Sequence, residues 1–143
     1  MSEARDRCRT AIVNSHFDWP TTRRVTILLS PADLVKRGVT VPGRIAAEGG
    51  SNGGLLIANM LTRFPERFGA LFCTIPLIDM RRYSKLLAGA SWMAEYGDPD
   101  DAADWEYLRT YSPYQNARAA REYPPIFFYL STRDDRVHPG HAR

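Results

Sequence analysis

The stretch Arg44-Ile45-Ala46-Ala47-Glu48-Gly49-Gly50-Ser51-Asn52-Gly53-Gly54-Leu55-Leu56-Ile57-Ala58 decides how this chain is read. Its start, residues 44–47, is a short apolar run that suits a strand. Its end, continued by Met60 and Leu61, is dense enough in apolar residues for a buried helix. Between them, Gly49 to Gly53 match G-x-S-x-G. A strand, a tight glycine turn and a helix are the context in which such a serine stands clear of the backbone, ready to act as a nucleophile. The glycines permit backbone angles that other residues resist and leave room for a substrate. By chance alone the bare pattern arises in roughly one chain of this length in twenty, so the rest of the chain must decide. A glycine-rich turn that binds nothing is the plain alternative. A phosphate-binding turn is disfavoured, because there is no G-x-G-x-x-G and no Gly-Lys-Ser/Thr follows.

Working outward, residues 25–29 look like a strand. Ser30-Pro31-Ala32-Asp33 supplies a cap, a first-turn proline and an acid for a short helix that Gly38 closes. Downstream of a helix at about 53–63, Pro65 to Gly69 form a turn, and Ala70 to Ile75 form a second strand. Strand, helix, strand favours a parallel sheet with helical crossovers, hence an α/β class. Asp98 is placed to cap a helix starting at Pro99, with Asp100, Asp101 and Asp104 against its positive end. Ser112-Pro113 breaks that helix. Ile126 to Leu130 is the strongest strand signal, and it runs into Asp134-Asp135. Acids just past the end of a parallel strand share the sheet edge with the elbow serine, where ligands bind in open α/β sheets. Either Asp134 or Asp135 can therefore meet Ser51, in the order of an α/β hydrolase. A turn element paired with Arg133 or Arg136 is the competing reading.

The totals set bounds. At 143 residues, with 44% apolar and 24% charged residues, the chain is globular in composition and about one domain, or part of one. No apolar run reaches the 18 residues of a membrane span. Cys8 and Cys73 make neither a disulfide framework nor a metal motif, and Cys73 lies in an apolar run that suits a buried thiol. His16 has no partner at ligand spacing. Net charge is +3, with arginines clustered at 5, 7 and 9, at 23 and 24, and at 81 and 82. Acids are interleaved with them, which favours a solvated surface over a nucleic-acid face.

Five stretches then resemble, in order, the catalytic domain of the prolyl oligopeptidase family of serine peptidases. They are Gly50 to Leu56, Arg63 to Gly69, Ala90 to Asp98, Tyr111 to Asn116, and Asp134 to His141. The resemblance implies a partial α/β-hydrolase fold over residues 31–143, with 1–30 an unmatched N-terminal segment. It implies Ser51 as nucleophile and Asp134 as triad acid, with the Asn52 N–H as oxyanion donor. A family tyrosine upstream of the elbow, the second oxyanion donor, has no match here. It further implies Trp92 as the platform for a proline ring, Tyr96 and Val137 as neighbouring walls, and Arg136 as the donor to a substrate carbonyl.

The triad histidine is expected some tens of residues past the acid. His138 and His141 are too close to Asp134, so the chain reads as an internal or truncated fragment, inactive alone. The expected substrate is a short peptide cut after proline, with preference for basic residues as the main variant. No cofactor, metal, nucleic acid or membrane partner is expected, and the oligomeric state stays open. The expected compartment is the cytoplasm, or the periplasm if a signal peptide precedes the native chain. The competing functions are an esterase-like α/β hydrolase and a non-catalytic truncated remnant or basic interaction domain.

Overall fold

The structure, a computed structural model, describes residues 35–143. The strand expected at 25–29, His16, Cys8 and the start of the helix expected from Ser30 lie outside the described residues. Gly38, expected to close that helix, takes φ +68° and donates back to the Val35 carbonyl at 3.0 Å. Thr40–Arg143 form one compact unit.

Three parallel strands form the sheet of this unit: β1 (Ala46–Gly50), β2 (Ala70–Thr74) and β3 (Ile126–Tyr129), in the spatial order β1-β2-β3. Helix α1 (Asn52–Arg63) crosses from β1 to β2. The β2-to-β3 connection is long and holds three shorter helices: α2 (Met93–Tyr96), α3 (Ala102–Leu108) and α4 (Pro113–Asn116). This is the parallel sheet with helical crossovers that the pattern of apolar runs predicts. The observed strand β1 begins two residues later than the run at 44–47 and reaches Gly50, because its glycines pair with Cys73 and Thr74 of β2.

Alternation along the strands divides the sheet faces. Leu71 and Cys73 point to the face that α1 covers, where they join Ile57, Ala58, Phe68 and Ile78 in one core cluster. On the other face Glu48, Phe72 and Phe127 share a register row. The Phe72 and Phe127 rings stack there at 4.8 Å, both exposed. Leu55, on the adjoining side of α1, belongs to a second cluster with Leu77, Met80, Tyr83 and Leu108. Helix α1 therefore packs into both cores. Asn59 ties it to the later chain, donating from Nδ2 to the Tyr111 carbonyl at 2.8 Å. Cys73 is fully buried, as its apolar run predicts, and burial pushes its thiol up to about 12.

The cap of α3 differs from expectation. Asp101, not Asp98, is its N-cap, accepting from the N–H groups of Ala103 and Asp104 at 2.9 and 3.0 Å. Residues 98–101 form a turn instead, closed by the Asp101 N–H on the Asp98 carbonyl. Arg81 holds the Pro99 carbonyl and Lys85 holds the Asp100 carboxylate at 2.9 Å. Pro99 and Asp100 are thereby committed to a contact with the preceding segment, and the helix starts after them.

Candidate active site

Ser51 sits between the last residue of β1 and the first of α1 with φ 56° and ψ −116°. Few non-glycine residues adopt such angles, and the cost is of order 1–3 kcal/mol. Three hydrogen bonds hold the strain. The Ser51 N–H donates to the Thr74 carbonyl at 3.0 Å, while the N–H groups of Leu55 and Leu77 both donate to its carbonyl at 3.2 Å. Its hydroxyl makes no capping bond to α1. The turn needs Gly49, Gly50 and Gly54 sterically, whereas Gly53 faces open space. A Cβ on Gly49 would collide with the Gly53 carbonyl and lie 2.8 Å from Ile57 Cγ1. One on Gly54 would lie 2.8 Å from Pro76.

Ser51→Gly is accordingly expected to relax the turn and raise stability by about 1 kcal/mol. Urea unfolding of the two proteins checks this.

Asn52 is the first residue of α1 and is exposed. Its N–H is one of the first four in the helix, which have no partner within it.

Past β3, Asp134 opens a tight loop and is half-buried. Its Oδ1 accepts the N–H groups of Arg136 and Val137 at 2.9 and 2.8 Å. That orients the carboxylate and leaves Oδ2 for another donor. Asp135, left as an alternative by the spacing, is exposed and receives neither of these bonds. Val137 is buried and Arg136 is exposed. The Arg136 carbonyl accepts the Ala88 N–H at 3.3 Å, which joins the acid loop to the turn Leu87–Trp92. Trp92 ends that turn half-buried, and it packs with Tyr96 against the cluster containing Leu55 and Tyr83. Tyr96 meets Tyr83 edge-on at 5.7 Å, and burial pushes its phenol up to about 12, so it stays protonated.

The structure thus brings Asp134, Arg136 and Val137 into one loop and joins that loop to the segment bearing Trp92. It joins Trp92 and Tyr96 to the elbow helix through the Leu55 cluster. Ser51 and Asp134 both follow the carboxyl ends of strands in one parallel sheet, with β2 between those strands. Among the described residues, no group of three or more His, Cys, Asp or Glu is arranged to hold a metal ion. No described helix is long and apolar enough to cross a membrane.

A buried polar knot behind the loop was not anticipated from the sequence. Asp79 is fully buried and accepts from the Arg81 and Arg82 N–H groups, the Arg82 side chain and Gln115. Burial alone would raise its carboxyl, but the bonds from Gln115 and Arg82, with the Arg82 charge, together hold it below its usual value. His141 docks on the Asp79 N–H at 3.2 Å. His138 instead caps its own turn, accepting the Gly140 N–H at 2.9 Å. Only the spacing of polar residues inside apolar runs, as in Leu77-Ile78-Asp79-Met80, hints at the knot.

A strained serine elbow on a parallel α/β sheet, with an acid loop on the same edge, defines a segment of an α/β hydrolase. The chain belongs to the prolyl oligopeptidase family, whose sequence model matches residues 29–143. It is 46% identical over 111 residues to an uncharacterized peptidase of Sinorhizobium fredii, a match covering 78% of this chain and 15% of that one. It is 40% identical over 110 residues to a prolyl endopeptidase of Elizabethkingia miricola, covering 76% and 16%. A solved post-proline cleaving enzyme from Rickettsia typhi aligns with TM-score 0.75 at 41% identity, covering 78% of this chain and 16% of that one. The chain thus spans about one sixth of the length of these relatives.

Proposed function

We propose that residues 31–143 carry the nucleophile and the acid of a serine peptidase that cuts short peptides after proline. The observation that supports this best is the backbone of Ser51, a non-glycine residue at φ 56° directly between strand and helix. Strain of this kind persists where the surrounding structure enforces it and is concentrated at active sites.

Ser51 Oγ attacks the scissile carbonyl, and the developing oxyanion rests on the Asn52 N–H. Asp134, oriented by two backbone bonds, accepts from the histidine through its free oxygen and stabilises the charged ring. Strands β1 and β3 lie two inter-strand spacings apart, roughly 9–10 Å. An imidazole, with a nitrogen on each side, suits a bridge across that gap. His141 and His138 are committed to the Asp79 and Gly140 N–H groups, so the triad histidine comes from outside this segment.

Trp92 supplies a flat, rigid face for a flat, rigid pyrrolidine, at low entropy cost. Tyr96 and Val137 wall the same pocket. Arg136, exposed on the loop, offers its fork of donors to a substrate carbonyl.

The 143-residue chain alone is expected to show no Ser51-dependent cleavage of a proline-containing peptide. In a chain that also carries the triad histidine, Trp92→Ala is expected to lower kcat/KM for that peptide by about tenfold to a hundredfold. Hydrolysis of a simple ester should change far less. Equal losses on peptide and ester would replace proline specificity with a general esterase reading.

A further inference from the structure

The segment after the acid loop ends in a buried histidine that the peptidase reading leaves unused. His141 is fully buried, and its Nδ1 accepts the Asp79 N–H at 3.2 Å across 62 residues of sequence. Its Nε2 is buried and has no hydrogen-bond partner among the described residues. A ring nitrogen that accepts a hydrogen bond carries no proton, so the neutral ring is protonated at Nε2.

The wall His141 meets is fixed. The Asp79 carboxylate accepts four hydrogen bonds, and the Ser112 hydroxyl accepts the next N–H, that of Met80, at 3.0 Å. Two further bonds dock the same segment: Arg82 Nη2 to the Gly140 carbonyl at 3.0 Å, and the Tyr114 hydroxyl to the Arg143 carbonyl at 3.4 Å. From His141 back to Val137 there is only the turn Pro139–Ala142 and its cap His138. The acid loop is therefore held by β3 at one end and by this docked turn at the other.

We propose that His141 is a positioning residue for the Asp134 loop, a latch that holds the loop in place while the imidazole is neutral and frees it when the ring takes a proton. Protonation puts a second N–H at Nδ1, facing the Asp79 N–H. Two donors then oppose each other, the bond is lost, and a charge is left in a buried site. The titratable and charged groups around the ring are Asp79, which favours the cation, and Arg82 and His138, which oppose it. Tyr114 reaches the segment from α4, and the Arg82 guanidinium lies over its ring at 5.2 Å. Burial, the largest effect, together with Arg82 and His138 outweighs Asp79, and the imidazole is pushed down to about 4 from 6.5. The catalytic meaning of the latch rests on Asp134 being the triad acid, but the latch itself is read from the loop, so a wrong triad leaves the test intact.

The test is NMR of the 143-residue chain from pH 7.5 to 3, a range that brackets the His141 value of about 4. Imidazole ¹⁵N shifts follow His141, and backbone amides follow Arg136 and Val137. At pH 7.5 His141 Nδ1 is expected to be unprotonated. The two loop amides should then move together with the His141 ring, with a midpoint below 6.5. His141→Asn keeps an acceptor at the Nδ1 position without a titrating group. It should preserve the amide positions at pH 7.5 and abolish their pH response. A protonated Nδ1 at pH 7.5, or the same amide movement in the Asn variant, overturns the proposal. Should Asn fail to fill the site, the native chain decides alone: a shared midpoint supports the latch, and loop amides that move independently of the ring overturn it.

Discussion

Ser51→Ala, made in a chain that carries both this segment and a triad histidine, is expected to lower kcat for a proline-containing peptide by on the order of 10⁶. Asp134→Asn should cost less, on the order of 10⁴, because the serine and the base remain and only their orientation and charge stabilisation suffer. The double variant should be hardly worse than Ser51→Ala alone. Triad members act as a unit, so once the nucleophile is gone the acid has little left to contribute. KM should change little in each case, since neither side chain is assigned to uniform substrate binding. The structure gives the Asp134 effect a geometric basis: both backbone bonds go to Oδ1, so an amide at position 134 can keep them and still present the wrong group to the histidine. Steady-state kinetics of the three variants on one peptide checks the series. Additive losses would show that Ser51 and Asp134 do not share one mechanism.

Acid is expected to destabilise the fold through His141. The folded-state value of about 4 lies below the ordinary 6.5. Between those values the unfolded chain binds a proton that the folded chain refuses, so stability falls as pH falls. The contribution is fully present above about pH 6.5 and is lost on the way down to about pH 4. At about 1.4 kcal/mol for each tenfold change in proton affinity, the total is about 3 kcal/mol. Asp79 adds to the loss at lower pH, because its carboxyl is held below the ordinary 3.8 and must be protonated in turn. Urea midpoints measured from pH 7.5 to 4 should slope down in the native chain and much less in His141→Asn. A flat native profile over that window would contradict the buried neutral ring.

The elbow was legible because its requirements are local. Gly49, Ser51, Gly53 and the apolar helix behind them are adjacent in sequence. The close approaches at Gly49 and Gly54 are those the glycines anticipate, whereas the unusual backbone angles fall on Ser51 and Gly53 faces open space. Strands β2 and β3 were legible for the same reason, as apolar and β-branched runs ended by turn residues. The α3 cap was misplaced, since four acids compete at 98, 100, 101 and 104. Contacts from Arg81 and Lys85, well upstream, settle which one caps. The Asp79–His141 knot was not legible, as it depends on a hydrogen bond spanning 62 residues. The roles of Trp92, Tyr96 and Val137 came from family resemblance alone. Their burial is equally that of ordinary core, so only a substrate-dependent measurement separates the two.

Whether Ser51 is the nucleophile of a proline-directed peptidase is tested most directly by covalent trapping. The histidine-bearing chain is reacted with a fluorophosphonate carrying a proline-like ring, digested, and the adduct located by mass spectrometry. The expected result is one adduct, on the peptide containing Ser51, formed in competition with a proline-containing substrate. An adduct on another residue, or labelling that persists unchanged in Ser51→Ala, would contradict the assignment.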